Sequence, residues 1–290
     1  MKLLFIIGMQ KSGTSLFNRM LMRQDCLCNP FLPEGKFFWG DNPPFTPTDQ
    51  PCGVLYQKHK GDHGHYLDDT DATDEDRLLL LSRIKQADIK EPILMNKNPY
   101  NSVRIKWLKT LFPQGKIIAI YRNPVANIYS LLKRYNKQNQ GVGPENGWWG
   151  IKPRHWQNML SDNKISQCIQ QWNAVNQEIL NNVQLLDMLV NYDDLCSDPN
   201  AIIQQSIHAF GSYHLSDRFQ NIKNMNGEYL TGSRLMSKNK ELKRQQGFDL
   251  SQLQEVIEFP ALAETAVALI KNKTTDVYRQ LKQSSKNFNS

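Results

Sequence analysis

The stretch Gly8-Met9-Gln10-Lys11-Ser12-Gly13-Thr14-Ser15 carries residue types suited to holding an anion. Two glycines bracket four residues, and glycine lets a backbone curl until its N–H groups point at one spot. A helix starting directly afterwards adds the positive end of its dipole, so the pattern suits a phosphate or a group like it. A nucleotide triphosphatase places lysine directly after the second glycine; here that residue is Thr14, and Lys11 lies inside the loop. Magnesium-dependent phosphoryl transfer also needs an aspartate at the end of another strand, but the best candidate strand, Lys116 to Tyr121, runs into Arg122 and Asn123. A P-loop ATPase or nucleotide kinase is therefore the weaker alternative.

A second constellation is Tyr121-Arg122-Asn123-Pro124, with Ser130 eight residues beyond the arginine. Asn123 is a good helix N-cap and Pro124 a good first helical residue, which puts Arg122 at the carboxyl end of a strand and Ser130 two turns into the next helix. Open parallel sheets bind ligands at such ends. An arginine fork with a hydroxyl nearby suits a phosphate monoester.

The elements that must position these residues are legible from periodicity. Lys2 to Gly8 reads as a buried strand, because Leu3 to Ile7 are continuously apolar, and a helix follows from about Gly13 to Arg23. Ile93 to Asn96, Lys116 to Tyr121 and Leu185 to Tyr192 repeat the strand signal. Helical patterns cover Glu75 to Ala87, capped by Thr73 or Asp74, then Val103 to Phe112, Val125 to Tyr135, Ile165 to Asn182 and Ala201 to Phe210. This alternation predicts an α/β fold, a parallel β-sheet flanked by helices. Two long irregular stretches, Cys26 to Asp71 and Lys137 to Asn163, are rich in Gly, Pro and aromatics and read as substrate-facing loops.

The 290 residues, 40% hydrophobic and 22% charged, read as one domain over 1–290 with Lys271 to Ser290 as a polar tail. No apolar run approaches a membrane span, and the run ending at Ile7 meets Lys11 before a signal cleavage site could follow, so the expected location is cytoplasmic. Five scattered cysteines suggest reduced thiols, without a disulfide framework or a zinc site. The formal net charge of +7 favours anionic partners, which leaves a non-catalytic polyanion-binding protein as a further alternative.

Together the two constellations resemble the family of sulfotransferases that use 3′-phosphoadenosine 5′-phosphosulfate (PAPS). Its first motif runs Lys-Ser-Gly-Thr-Ser/Thr, and its second runs Arg-Asn/Asp-Pro with a serine eight positions on. The resemblance implies a P-loop NTPase-like three-layer sandwich and transfer of a sulfuryl group to a hydroxyl or amine. It also implies that Lys11, Ser12, Gly13, Thr14 and Ser15 hold the 5′-phosphosulfate, while Arg122 and Ser130 hold the 3′-phosphate. Tyr192, in Val190-Asn191-Tyr192-Asp193-Asp194-Leu195, resembles the family's adenine-side tyrosine. Arg234, in the segment Gly227 to Arg234, is similar to a late basic loop over the 3′-phosphate. The segment Glu34-Gly35-Lys36-Phe37-Phe38 is similar to the Glu-x-x-Phe-Phe of the glycosaminoglycan branch, and Lys97-Asn98-Pro99 to its Lys-Thr-Pro. By that resemblance Glu34 is the general base, with Lys11 and Lys97 as the other catalytic groups. PAPS and an acceptor are then the partners, with no metal and no nucleic acid.

Two departures narrow the resemblance. Cytosolic aryl and steroid sulfotransferases place tryptophan where this chain has Leu16, and a histidine base shortly after the lysine where it has Asn98, Pro99 and Tyr100. Small phenols are thus disfavoured as acceptors, and carbohydrate or another small metabolite is the expectation. His59, Asp62, His63 and His65 form a polar cluster that reads as a solvated loop, as a metal site, or, through His65, as an alternative base. Trp148, Trp149 and Trp156 either line an acceptor pocket or pack on the body of the protein. Trp172, Val175, Ile179 and Val183 have core spacing.

Overall fold

Continuous apolar runs become central strands here because both of their faces are covered. In the computed structural model, which describes residues 1–30, 38, 55, 61–87, 89–135, 146–211 and 261–288, the strands are β1 (Lys2–Ile7), β2 (Leu27–Cys28), β3 (Ile93–Lys97), β4 (Lys116–Tyr121) and β5 (Met188–Asn191). All pair in parallel in the order β2-β3-β1-β4-β5. Ile6 of β1 stands beside Lys97 of β3 and Ile118 of β4, so the loops after these three strands open at the same edge.

The helices are α1 (Thr14–Leu21), α2 (Asp74–Gln86), α3 (Ile105–Leu111), α4 (Pro124–Tyr135), α5 (Lys164–Asn181), α6 (Tyr192–Ser197), α7 (Pro199–His208) and α8 (Ala261–Asn287). Strand alternation divides the core into two layers. Phe5, Ile7, Leu94 and Ile117 pack with Trp107 of α3, Ile128 of α4, Trp172 of α5 and Leu281 of α8. Leu4, Ile6, Met95 and Ile118 pack with Phe17 of α1, Leu195 of α6 and Ile203 of α7. The result is a parallel sheet between two helical layers, as expected, and Trp172, Val175 and Ile179 are core.

Caps stand where the side chains call for them: Thr73 Oγ1 accepts from Asp76 N at 3.1 Å, and Asn123 Oδ1 accepts from Val125 N at 3.0 Å ahead of Pro124. The expected helix from Val103 to Phe112 is α3, starting at Ile105, and a 3₁₀ segment, Pro99–Val103, leads into it, because Asn98 Oδ1 caps Tyr100 N at 2.9 Å and Pro99 fixes the first turn. The last strand is shorter than expected. Asp187 holds its entry by accepting from Ile117 N at 2.8 Å and Lys116 Nζ at 2.7 Å, and Tyr192 opens α6 rather than ending the strand.

The largest correction concerns Lys271 to Ser290. Through residue 287 it forms the greater part of α8, whose Ile270, Thr274, Leu281 and Ser285 are buried, with Ser285 Oγ 3.0 Å from the Tyr121 hydroxyl. Small hydroxyl residues share the inward stripe with widely spaced aliphatics, which hides the helical period behind a polar composition. Among the described residues no helix is long and apolar enough to cross a membrane.

Candidate functional site

The loop between β1 and α1 is held open by its own backbone. Gly8 has φ +148° and Gly13 φ +110°; a Cβ on Gly8 would lie 2.3 Å from the Ile120 carbonyl oxygen, and one on Gly13 2.2 Å from Tyr192 Cδ2. Lys11, which is not glycine, sits at φ +68°, a left-handed conformation costly for a lysine and typical of functional turns. The rim is tied from three sides: Gly8 N donates to Ser102 Oγ at 2.8 Å, Ser12 N to Met9 O at 3.1 Å, and Asn127 Nδ2 to Gln10 O at 2.8 Å. Gly13, as N-cap of α1, offers no side chain to cap the first N–H groups of that helix. Ser12 is fully buried with an Oγ that has no hydrogen-bond partner among the described residues, Thr14 is buried and Ser15 exposed. Such a cradle of N–H groups and hydroxyls fits a tetrahedral anion.

Arg122 closes the cradle from β4. Its Nη1 donates to the Lys11 carbonyl at 3.3 Å, and its guanidinium lies 4.5 Å from the Tyr192 ring centre, the ring that seals Gly13. The structure therefore brings Lys11, Gly13, Arg122 and Tyr192 into one contiguous rim. Lys97, the buried last residue of β3, joins from the other flank, its Nζ donating to Ser15 Oγ at 3.3 Å. Ser130 is half-buried on α4, one turn beyond Asn127 on the side of the helix that meets the loop. Glu34 and Arg234 lie outside the described residues, as does His59.

The three tryptophans separate into two kinds. Trp148 is buried with its indole N–H donated to Ile151 O at 3.0 Å, and Trp156 packs edge-on against it at 5.6 Å. Trp149 stands at the site instead: its ring lies 5.8 Å from Lys11 Nζ and 5.6 Å from the Arg134 guanidinium. Tyr135 and Gln171 fix its backbone, the hydroxyl accepting from Trp149 N at 3.2 Å and the amide donating to Trp149 O at 2.9 Å.

The two long loops lock together beside this wall. His65 N donates to Lys152 O at 2.7 Å, Lys152 N donates to His65 Nδ1 at 2.8 Å, and Asp62 meets His155 at 2.5 Å. Buried Arg104 reaches into the first loop and donates to the carbonyls of His65 and Leu55. Because Nδ1 of His65 accepts a backbone N–H, the neutral ring carries its proton on Nε2, and the nitrogen able to take a proton is occupied. This argues against His65 as the base. Asp62 and His63 do not converge with it on one point: among the described residues no group of three or more metal-ligand side chains occurs.

Periodicity gave no hint of Asn127 or Ser102, the side chains that tie down the loop. Asn127 was open to inference, since a polar residue one turn after a capped Asn-Pro pair faces the same side as the strand end.

Residues 4–213 match the profile of the sulfotransferase family. Among solved structures, the chain is similar to a sulfotransferase from Alicyclobacillus acidocaldarius at 15% identity, covering 75% of this chain and 85% of that one with a TM-score of 0.44. It is also similar to the sulfotransferase domain from the curacin biosynthetic pathway at 15% identity, covering 81% and 86% with a TM-score of 0.46. A third is sulfotransferase STF1 from Mycobacterium tuberculosis H37Rv, at 15% identity, covering 75% and 69% with a TM-score of 0.38. No curated protein sequence matches the chain significantly.

Proposed function

The chain belongs to the sulfotransferase family, and from that premise we propose that it moves a sulfuryl group from PAPS to a hydroxyl or amine, releasing adenosine 3′,5′-bisphosphate. The observation that carries this reading is the joining of the two sequence constellations: Arg122 donates to the Lys11 carbonyl and stacks on the tyrosine that packs against Gly13. A ligand with an anionic group at each end, one over the loop and one toward Arg122 and Ser130, matches that rim.

Each residue then has a stated task. The loop N–H groups, Ser12, Thr14 and Ser15 hold the 5′-phosphate, Arg122 and Ser130 hold the 3′-phosphate, and Tyr192 borders the adenine side. The resemblance assigns Arg234 to the 3′-phosphate as well. The acceptor oxygen or nitrogen bonds to sulfur as the bond from sulfur to the 5′-phosphate oxygen breaks, and the electron pair stays on that oxygen. Lys11 neutralises the charge growing there, assisted by Lys97; one such donor is worth about 3 kcal/mol. Glu34 takes the acceptor's proton, a role that the loop hydrogen bond of His65 makes unsuitable for that histidine. Trp149, fixed beside Lys11, presents an apolar face to the acceptor, and a sugar ring is the acceptor class this face suits. No residue in this scheme requires a metal ion, since the lysines and backbone amides supply the positive charge.

The test works whatever the acceptor is. Purified protein is incubated with PAPS and pools of sugars, amines or phenols, and release of adenosine 3′,5′-bisphosphate is followed. Release that depends on an acceptor pool is expected. Inertness toward PAPS with every pool, alongside hydrolysis of ATP, would return the chain to the kinase or ATPase reading.

A further inference from the structure

Helix α8 lies beyond the residues that match the family profile, and most of its cations share one face. Residues 261–288 contain five cations (Lys271, Lys273, Arg279, Lys282, Lys286) and two carboxylates (Glu264, Asp276). Four of the five cations, all but Lys273, line a cavity of about 590 Å³ between α8 and the carboxyl ends of β4 and β5. Among the described lining residues Asp194 is the one carboxylate, and Asp276 pairs with Arg279 at 2.6 Å beside them, so four positive charges against two carboxylates leave two in excess. Concave walls lined by one sign of charge focus the field and concentrate counter-ions.

The cavity is distinct from the loop site. Arg122 turns toward Lys11 and Tyr192, while its neighbours Tyr121 and Asn123 line the cavity on the other side of the same strand end.

We propose that this cavity is a second binding site, for an elongated oligomer of phosphate or sulfate groups. Lys271 and Lys286 are separated by 15 positions, which at about 1.5 Å per residue is roughly 22 Å along the helix. A single phosphate cannot reach all four cations, whereas a chain of several anions can. The lining also distinguishes the ligand from single-stranded nucleic acid, which relies on exposed aromatic faces for stacking. Tyr121 is only 1% exposed, and the Lys282 ammonium already covers the half-buried Tyr278 ring at 4.8 Å. Thr275, Gln283 and Asn191 add hydroxyl and amide groups that hydrogen-bond to oxyanions.

Calorimetric titration of the full chain with a fully sulfated maltotetraose, and separately with a linear polyphosphate matched to it in charge and long enough to span the row of cations, tests the proposal. Each is run with and without saturating adenosine 3′,5′-bisphosphate. At least one probe is expected to bind, with the same affinity whether or not the nucleotide is present, and the tighter of the two identifies phosphate or sulfate as the natural chemistry. The variant Arg279→Gln/Lys282→Gln/Lys286→Gln should bind about tenfold more weakly. Lys271→Glu, at the far end of the row and on an exposed surface, should also weaken binding while leaving the melting temperature unchanged. The proposal fails if neither probe binds, if both variants bind like wild type, if the nucleotide competes with the probe, or if oligothymidylate of equal charge binds more tightly than both probes.

Discussion

Gly13→Ala should damage both stability and nucleotide binding, because the loop and Tyr192 occupy the same space. At φ +110° an alanine bears a left-handed strain of about 1–2 kcal/mol. Its Cβ would also sit 2.2 Å from Tyr192 Cδ2 and 2.6 Å from Cε2, where carbon atoms normally keep about 3.5–4 Å. The ring has little room to retreat: it is only 4% exposed and carries the Arg122 guanidinium on its face. Repacking of this kind costs about 1–3 kcal/mol, for a total of about 2–5 kcal/mol. With an unfolding entropy of about 2.1 cal/mol/K per residue, the 290-residue chain should lose roughly 3–8 °C in Tm. Calorimetric melting of Gly13→Ala, of Tyr192→Leu and of the double variant measures the coupling. In the Tyr192→Leu background the alanine should cost only its backbone share. A Tm within about 1 °C of wild type for Gly13→Ala, with nucleotide affinity retained, would refute this geometry.

Three further outcomes are expected. Lys11→Ala should lower kcat about 100-fold or more with a smaller effect on nucleotide affinity, seen in single-turnover kinetics; a raised KM with unchanged kcat would make Lys11 a plain binding residue. Glu34→Gln should keep nucleotide binding and lose about 100-fold in kcat, and near-normal turnover would remove Glu34 as the base. Burial pushes the Tyr121 and Tyr135 hydroxyls and the Cys168 thiol up to about 12, from ordinary values near 10 and 9. The unfolded chain therefore releases these protons first, so their contribution to stability is complete below about pH 9 and is lost as pH rises toward 12. Denaturant titrations at pH 8, 9.5 and 11 should show this decline, and constant stability would contradict it.

What could be read from the sequence was local. The apolar run before Gly8, the Asn123-Pro124 cap and the glycines of the loop each act over a few residues, and each is where the pattern put it. Contacts between distant segments were not legible. Nothing in the tripeptide Asn191-Tyr192-Asp193 announces that its ring seals Gly13, 179 positions earlier. Trp148 and Trp149 are adjacent and chemically alike, yet one is core and the other stands beside Lys11, because Tyr135 and Gln171 anchor the backbone between them and the body. The polar composition of α8 concealed a helix that buries Ile270 and Leu281 and turns most of its cations to one side.

The most direct test of the central claim is calorimetric titration with adenosine 3′,5′-bisphosphate and with ATP, both in EDTA, for wild type and Arg122→Ala. Wild type should bind the bisphosphate and not ATP. Arg122→Ala should weaken that binding by about 1.5–3 kcal/mol, roughly ten- to a hundredfold, through loss of a charge-assisted contact to the 3′-phosphate. Equal affinities in the two proteins, or preferential binding of ATP by wild type, would contradict it.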